Sequence, residues 1–266
     1  MPKYTIIVKG ISVSYSDFGK GTAIVCLHGF LETKSMWKPL KETLPKKYRI
    51  VSIDLLGHGD THCLGYVHSM EMMAEIVFRV VSKLRLRSYF VIGHSMGGYV
   101  ALEMLHSKPK NIKGVLMLNS TPMEDSEEKR KQRDRAIQAV KSSKTHFMGS
   151  AIENLFAPYN VSLYKNQIQE IVLDAKKTSI QGIIAALEGM KIRKNHLETL
   201  KKCHYARVLL GEKDPVLNYE SLQGIFKKNN IDFDTIPDGH MSLVEQPALT
   251  VEMITKFLKR LPALSR

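Results

Sequence analysis

A serine becomes a useful nucleophile only when its backbone presents the hydroxyl and a base stands ready to take its proton. Ser95 meets the first condition. It sits at the centre of Gly93-His94-Ser95-Met96-Gly97-Gly98, directly after the apolar run Tyr89-Phe90-Val91-Ile92. A turn sharp enough to lift a hydroxyl between a strand and a helix needs glycines at its flanks, because a Cβ there would collide with neighbouring backbone. The base has to be a histidine brought from elsewhere. His240 follows the strand-like run Ile231 to Ile236 through Pro237-Asp238-Gly239, and a turn at that point returns an imidazole to the carboxyl ends of parallel strands, where Ser95 also falls. On residue type alone, His94, His58 and His62 compete with it. An acid that fixes the imidazole tautomer completes the set, and Asp214, Glu212, Asp232, Asp234 and Asp238 all lie near the last strand-like runs.

The elements that would carry these groups are legible as a series of short apolar runs. Tyr4 to Val8 and Ile11 to Tyr15 flank Lys9-Gly10 and predict an opening hairpin. Ala23 to Leu27, Arg49 to Ile53, Tyr89 to Ile92, Gly114 to Leu118, Tyr205 to Leu210 and Ile231 to Ile236 have the continuous hydrophobicity of parallel strands buried on both faces. Between two of them, Ser69 to Leu86 places Met72, Ile76, Val80 and Leu84 at four-residue spacing, which predicts a helix with one apolar stripe facing a core. From about Thr121 to Leu200 the strand pattern stops. The run Glu127 to Arg135 mixes charge signs at helical neighbour spacing, as an exposed helix does. Ile168 to Ala175 and Ile180 to Met190 are amphipathic. The absence of repeats or long Gly/Pro/Ser linkers predicts that this stretch is docked rather than tethered.

Four further segments, together with the serine motif, resemble the alpha/beta-hydrolase superfamily over nearly the whole chain. His28-Gly29-Phe30 after Ala23 to Leu27 is similar to the oxyanion loop of that family, and Asp54-Leu55-Leu56-Gly57-His58-Gly59 to its D-x-x-G-x-G turn. Gly211-Glu212-Lys213-Asp214-Pro215 resembles the acid loop and Gly239-His240-Met241 the histidine loop, in the family's chain order of Ser, Asp, His. The resemblance implies a mostly parallel eight-stranded sheet flanked by helices, an α/β fold, with a helical cap at about 121–200 inserted between core segments 1–120 and 201–266. It also implies a catalytic triad of Ser95, Asp214 and His240, with the backbone N–H groups of Phe30 and Met96 as oxyanion donors. The activity it implies is hydrolysis of a small, partly apolar carboxylic ester or related acyl substrate through an acyl-enzyme. Carbon–carbon bond hydrolysis, thioester cleavage and lyase chemistry reuse the same triad, and a slowly turning-over ligand receptor reuses the same fold. Ser95 disfavours the dehalogenase and epoxide-hydrolase branches, whose nucleophile is a carboxylate, and Tyr99 stands where the menaquinone-pathway lyase branch carries arginine.

Composition narrows the setting. At 266 residues, with 44% hydrophobic and 24% charged side chains, the chain suits one sizeable core with an insertion. The formal net charge is +13, from 39 Lys+Arg against 26 Asp+Glu. The basic residues are scattered and lack the glycine-aromatic pattern of an RNA-binding sheet, so a solvated basic surface is expected and a nucleic-acid partner is not. No apolar segment predicts stable membrane insertion, and no secretory signal is read at Met1 to Val8. Together with three cysteines that cannot all pair, Cys26, Cys63 and Cys203, this predicts a cytoplasmic protein. Cys26 is expected in the core. Gly57 to Cys63 gathers two histidines, an aspartate and a cysteine but has no second cluster of zinc-site spacing, and no P-loop or dinucleotide fingerprint occurs. Neither a metal nor an organic cofactor is expected. Trp37, Phe147, Phe156 and Tyr159 are candidate pocket aromatics, with plain packing the favoured role for each.

Overall fold

The computed structural model describes residues 3–261. Its centre is one sheet of eight strands: β1 (Lys3–Val8), β2 (Ile11–Gly19), β3 (Thr22–Leu27), β4 (Tyr48–Ile53), β5 (Tyr89–His94), β6 (Ile112–Leu118), β7 (Ala206–Gly211) and β8 (Phe233–Ile236). Their spatial order is β1-β2-β4-β3-β5-β6-β7-β8. The predicted hairpin forms, with β1 antiparallel to β2 and β2 antiparallel to β4; every other pairing is parallel. The last strand is shorter than the run Ile231 to Ile236 suggested, since Ile231 instead anchors its backbone N–H on Phe226 O at 3.0 Å.

Alternation along the buried strands divides the core into two layers, one on each face of the sheet. Val25, Leu27, Val91, Val115, Met117, Val208 and Leu210 join the larger layer. Their neighbours Ile24, Cys26, Ile92, Leu116, Leu118 and Leu209 face the smaller one. The larger layer is covered by α2 (Met70–Lys83), α3 (Met96–Ser107) and the helices between β6 and β7, the smaller by α1 (Lys38–Thr43) and α11 (Pro247–Arg260). Cys26 is fully enclosed in the smaller layer, and burial pushes its thiol up to about 12.

Helix α2 starts where Ser69 accepts the Met72 N–H, a side-chain cap that satisfies one of the orphan donors of the first turn. Its core face contains the expected stripe and is wider than it. Met70, Met73, Ala74, Ile76, Val77, Val80 and Val81 are buried, and Met72 and Leu84 are half-buried at its margin, packed against the same layer. A helix turns by about 100° per residue, so a strict four-residue spacing drifts by about 40° at each step and its ends fall at the edge of the face. The fully buried positions alternate steps of three and four.

Between β6 and β7 the described chain is helical: α4 (Glu127–Ser142), α5 (Lys144–Glu153), α6 (Lys165–Ala175), α7 (Ile180–Lys191) and the short α8 (Leu197–Lys201). Helix α4 is charged and largely exposed, burying only Ile137 and Val140 among its residues. An ion pair joins the two ends of this helical stretch. Asp125, 2% exposed, accepts hydrogen bonds from Arg133 and Arg193. Arg193 also donates to Met123 O at 3.0 Å and lies over the Tyr99 ring, 4.1 Å from its centroid. After the sheet's seventh strand come α9 (Tyr219–Lys228) and, following β8, α10 (Ser242–Glu245). Among the described residues no helix is long and apolar enough to cross a membrane.

Burial alone pushes the Asp125 carboxyl up, but Arg133 and Arg193 outweigh it and hold the group below the usual carboxylate range. The stability this supplies is present above the unfolded-state pKa and is lost as pH falls through the depressed folded value. Asp125→Ala removes the carboxylate shared by the buried Arg193 and the partly buried Arg133 and is expected to cost about 3–5 kcal/mol at pH 7. Denaturant unfolding as a function of pH checks this, with the gap to wild type closing in acid.

Candidate active site

Ser95 links β5 to α3 with φ 48 and ψ −116, a conformation that L-residues rarely adopt and that costs of the order of 1–3 kcal/mol. The turn holds because its surroundings specify it. The Ser95 N–H donates to Leu118 O at 2.9 Å, and the Ser95 carbonyl accepts from Gly98 N at 2.9 Å and from Ser120 Oγ at 2.8 Å. A Cβ on Gly93 would strike the Gly97 carbonyl, and one on Gly97 would strike the Leu27 carbonyl. The two positions must therefore be glycine for α3 to start this close to β3 and β5.

The structure brings Ser95, His240 and Asp214 together above the carboxyl ends of β5, β7 and β8. His240 Nε2 lies 2.8 Å from Ser95 Oγ, and His240 Nδ1 lies 2.6 Å from Asp214 Oδ2. Since a carboxylate only accepts, Nδ1 carries the proton and Nε2 is left free to accept from the serine hydroxyl. Asp214 Oδ1 takes the backbone N–H groups of Val216 at 2.8 Å and Leu217 at 3.0 Å. Burial drives this carboxyl up, yet the His240 imidazole and those two amides bring it below its ordinary value. Asp214 is thus held ionised.

Residues that the sequence did not single out complete the frame. Asn119, at φ 45, immediately follows β6. Its Nδ2 donates to Asp214 Oδ2 at 3.2 Å and to Gly239 O at 3.1 Å, while its Oδ1 accepts from Ser242 Oγ at 2.5 Å. One amide therefore spans the acid loop and the histidine loop. The insertion grips the histidine loop from the other side: His240 N donates to Leu155 O at 2.9 Å, and Asn160 Nδ2 donates to Asp238 Oδ1 at 2.7 Å and Glu245 Oε1 at 2.9 Å. A polar residue at the end of a buried strand is the one signal that marks Asn119 in advance. Asn160 and Glu245 carry none, because their partners are distant in the chain.

The other candidate residues make different contacts. His58 Nδ1 donates to Leu56 O at 3.0 Å, and burial pushes its imidazole down to about 3. His62 is exposed, and its backbone N–H donates to Ser12 O at 3.0 Å. His94 lies behind His240, with its Nε2 on the His240 carbonyl at 2.9 Å. Among the acids, Asp232 and Asp234 pair with Arg207, Glu212 accepts from Thr235, and Asp238 accepts from Tyr159 and Asn160. In the Gly57 to Cys63 segment, Asp60 pairs with Lys3 and Lys34, and Cys63 lies beside Ser179.

Met96 is the first residue of α3, directly after Ser95, and Phe30 sits in the loop after β3, the strand paired with β5. That loop is fixed by His28, whose Nδ1 donates to Gly29 O at 2.7 Å and whose Nε2 accepts from Leu55 N at 2.9 Å. Asp54 ties the following turn, accepting from Lys34 N at 2.7 Å and Asp60 N at 3.1 Å. Of the candidate pocket aromatics, Trp37 belongs to the core on the far face of the sheet, Phe156 is enclosed against Tyr164, and Phe147 is half-buried. Tyr159 is 53% exposed, with its hydroxyl donating to Asp238 Oδ1 at 2.6 Å.

A family profile described as alpha/beta hydrolase fold matches residues 22–159. The chain belongs to that family. Within the alpha/beta hydrolases, it is similar in structure to a thermophilic esterase from Thermogutta terrifontis, with TM-score 0.89, 25% identity, and 98% of this chain and 99% of that one covered. It is 23% identical to 3-oxoadipate enol-lactonase 1 of Acinetobacter baylyi over 94% of each chain. An enol-lactonase from Burkholderia xenovorans shares the fold at TM-score 0.87 and 18% identity, over 97% of this chain and 100% of that one.

The strain at Ser95 can be measured apart from any chemistry. Ser95→Gly and Ser95→Ala both lose the hydroxyl, but only glycine relaxes at φ 48. Glycine is therefore expected to be the more stable of the two by about 1 kcal/mol in denaturant unfolding, after its larger unfolded-state entropy is subtracted.

Proposed function

We propose that this alpha/beta hydrolase cleaves a small, partly apolar carboxylic ester, with Ser95 as nucleophile, His240 as base and Asp214 as its orienting acid. The observation that carries the reading is the unbroken hydrogen-bonded chain from Asp214 Oδ2 to His240 at 2.6 Å and on to Ser95 Oγ at 2.8 Å. Ser95 Oγ attacks the ester carbonyl carbon as its proton passes to His240 Nε2, and the resulting imidazolium is stabilised by ionised Asp214. The carbonyl oxygen becomes an oxyanion held by the N–H groups of Phe30 and Met96, the latter at the positive end of α3. Collapse breaks the ester C–O bond, and His240 returns the proton to the departing alcohol. Water, deprotonated by His240, then attacks the acyl-enzyme, releases the carboxylic acid and restores the serine hydroxyl.

In this reading the stretch 121–200 is a cap whose helices shape the acyl pocket, and the backbone and side-chain bonds from Leu155 and Asn160 to the histidine loop fix its position relative to the base. The steps above call on the protein's own side chains and amides, the substrate and water, so enzyme dialysed against a chelator is expected to keep its full rate.

The test is a panel of p-nitrophenyl esters and lactones with wild type, Ser95→Ala and Asp214→Asn. Multiple turnovers by wild type, with both variants reduced on the order of a thousandfold or more in kcat, are expected. Stoichiometric labelling of Ser95 by a fluorophosphonate accompanies them. Unchanged turnover in Ser95→Ala contradicts the assignment, and thermal stabilisation by ligands without turnover points to a binding protein on a hydrolase fold.

A further inference from the structure

Beside the Asp214–His240 pair lies a second buried carboxylate and imidazole that the mechanism above does not use. Glu32 is 4% exposed and His94 is 1% exposed. Glu32 Oε2 accepts the Gly29 N–H at 2.5 Å and lies 2.9 Å from His94 Nδ1. The other ring nitrogen of His94, Nε2, lies 2.9 Å from the His240 carbonyl oxygen, and the His94 and His240 rings are 5.2 Å apart between centroids. Gly29 is the residue before Phe30. A single carboxylate oxygen therefore reaches the oxyanion loop directly and the main chain of the base through one imidazole.

The hydrogen count at His94 is constrained. A backbone carbonyl only accepts, so Nε2 must carry a proton. Nδ1 faces an oxygen that already accepts the Gly29 amide, and an ionised carboxylate there requires a second ring proton. The charges favour that form. Burial alone lowers the His94 pKa, but Glu32, the His240 carbonyl and the Asp214 carboxylate together raise it above the ordinary histidine value. Burial alone raises Glu32, while His94, the Gly29 amide and His28 bring it below the ordinary carboxylate value. The groups facing the pair are thus Asp214 and His240 from the acid and histidine loops and His28 from the loop after β3, with Lys38, Glu170 and Asp174 lining the cavity beside it, and an internal ion pair is the form that satisfies the close contacts of both groups. Glu32 Oε1 has no partner among the described residues, so every bond of this carboxylate runs through Oε2.

We propose that Glu32 and His94 are positioning residues that clamp the oxyanion loop to the His240 main chain, holding the oxyanion donor at Phe30 and the base at a fixed separation. This rests on the triad reading of the preceding section. A neutral imidazole has only one N–H, so removing the second proton from His94 gives up either the bond to Glu32 or the bond to His240 O, and in both cases the clamp opens. Activity then falls on the alkaline side through an ionisation that belongs to neither Ser95 nor its base.

The experiment compares wild type with Glu32→Gln, His94→Gln and His94→Asn in p-nitrophenyl ester turnover from pH 6 to pH 10, alongside 15N NMR of each full chain labelled at histidine. Glu32→Gln keeps the size of the side chain and an acceptor for Gly29 but removes the charge. It is expected to lower kcat roughly tenfold with little change in KM, and to move the alkaline limb down by at least about one pH unit. His94→Gln retains a donor at the position of Nε2 and is expected to keep more kcat than His94→Asn, whose shorter amide cannot reach His240 O. In the spectra, His94 of wild type carries protons on both nitrogens at pH 7.5 and loses one at lower pH in Glu32→Gln. A purely structural role changes the melting temperature but neither the alkaline limb nor the His94 titration. An alkaline limb and a His94 titration both unmoved in Glu32→Gln overturn the proposal. So does a singly protonated His94 in wild type at pH 7.5, and, should Glu32→Gln fail to fold, so does equal kcat in the two His94 variants. The NMR arm reads the pair whether or not the protein turns over esters, so a wild type without turnover or phosphonate labelling rejects the triad reading and leaves the pair to be judged by its spectra.

Discussion

The 2.8 Å contact between His240 Nε2 and Ser95 Oγ joins residues 145 positions apart, and the rest of the architecture can be understood as what makes that contact persist. A hydrogen bond of this kind contributes only about 1 kcal/mol net. It cannot hold two loops in place by itself. What holds them is the parallel sheet, whose strands β5, β7 and β8 all release their chains at one edge, so three loops of unrelated sequence begin within reach of one another. The elbow at Ser95 is the strained point in this arrangement, tolerated because Leu118 O, Ser120 and two obligatory glycines leave the chain no alternative.

Around that contact the molecule buries more polar groups than its two apolar layers need. Asp214, Asn119, Asp54, Glu245, Glu32 and His94 are each almost fully enclosed. Burying such groups is costly unless each finds partners. Here the partners are mostly backbone amides and carbonyls of neighbouring loops: Val216 and Leu217 for Asp214, Gly29 for Glu32, Ala157 and Met241 for Glu245. Side chains of this type act as struts, fixing loops that have no regular ladder of their own. The helical stretch between β6 and β7 takes part through Leu155, Ala157 and Asn160, which ties the His240 loop to the helices proposed to shape the pocket.

Much of this was legible in the sequence because it is local. The strand runs are continuous and apolar, and the loops bearing Ser95, His240 and Asp214 each carry a turn signature beside a strand. Phe30 and Met96 are proposed as donors from local context alone, since an amide donor depends on where the chain turns and not on its side chain. The struts were not legible, because nothing near Glu32 or Asn160 announces a partner 62 or 85 residues away. His94 shows the limit most clearly: on residue type it competed for the role of base, and only its bonds to Glu32 and His240 O place it behind His240 instead. The α2 stripe was legible but narrower than the face that packs, since a four-residue spacing follows a helix surface for only a turn or two before the 3.6-residue period carries it to the margin.

The most direct test of the central claim is a crystal structure of the protein after reaction with an alkyl phosphonate p-nitrophenyl ester, a stable mimic of the tetrahedral adduct. The account predicts phosphorus bonded to Ser95 Oγ, with the phosphoryl oxygen about 3 Å from both the Phe30 and Met96 nitrogens and His240 still bridging to Asp214. A phosphonate bonded to a different residue, or a phosphoryl oxygen turned away from both amides into solvent, would contradict it.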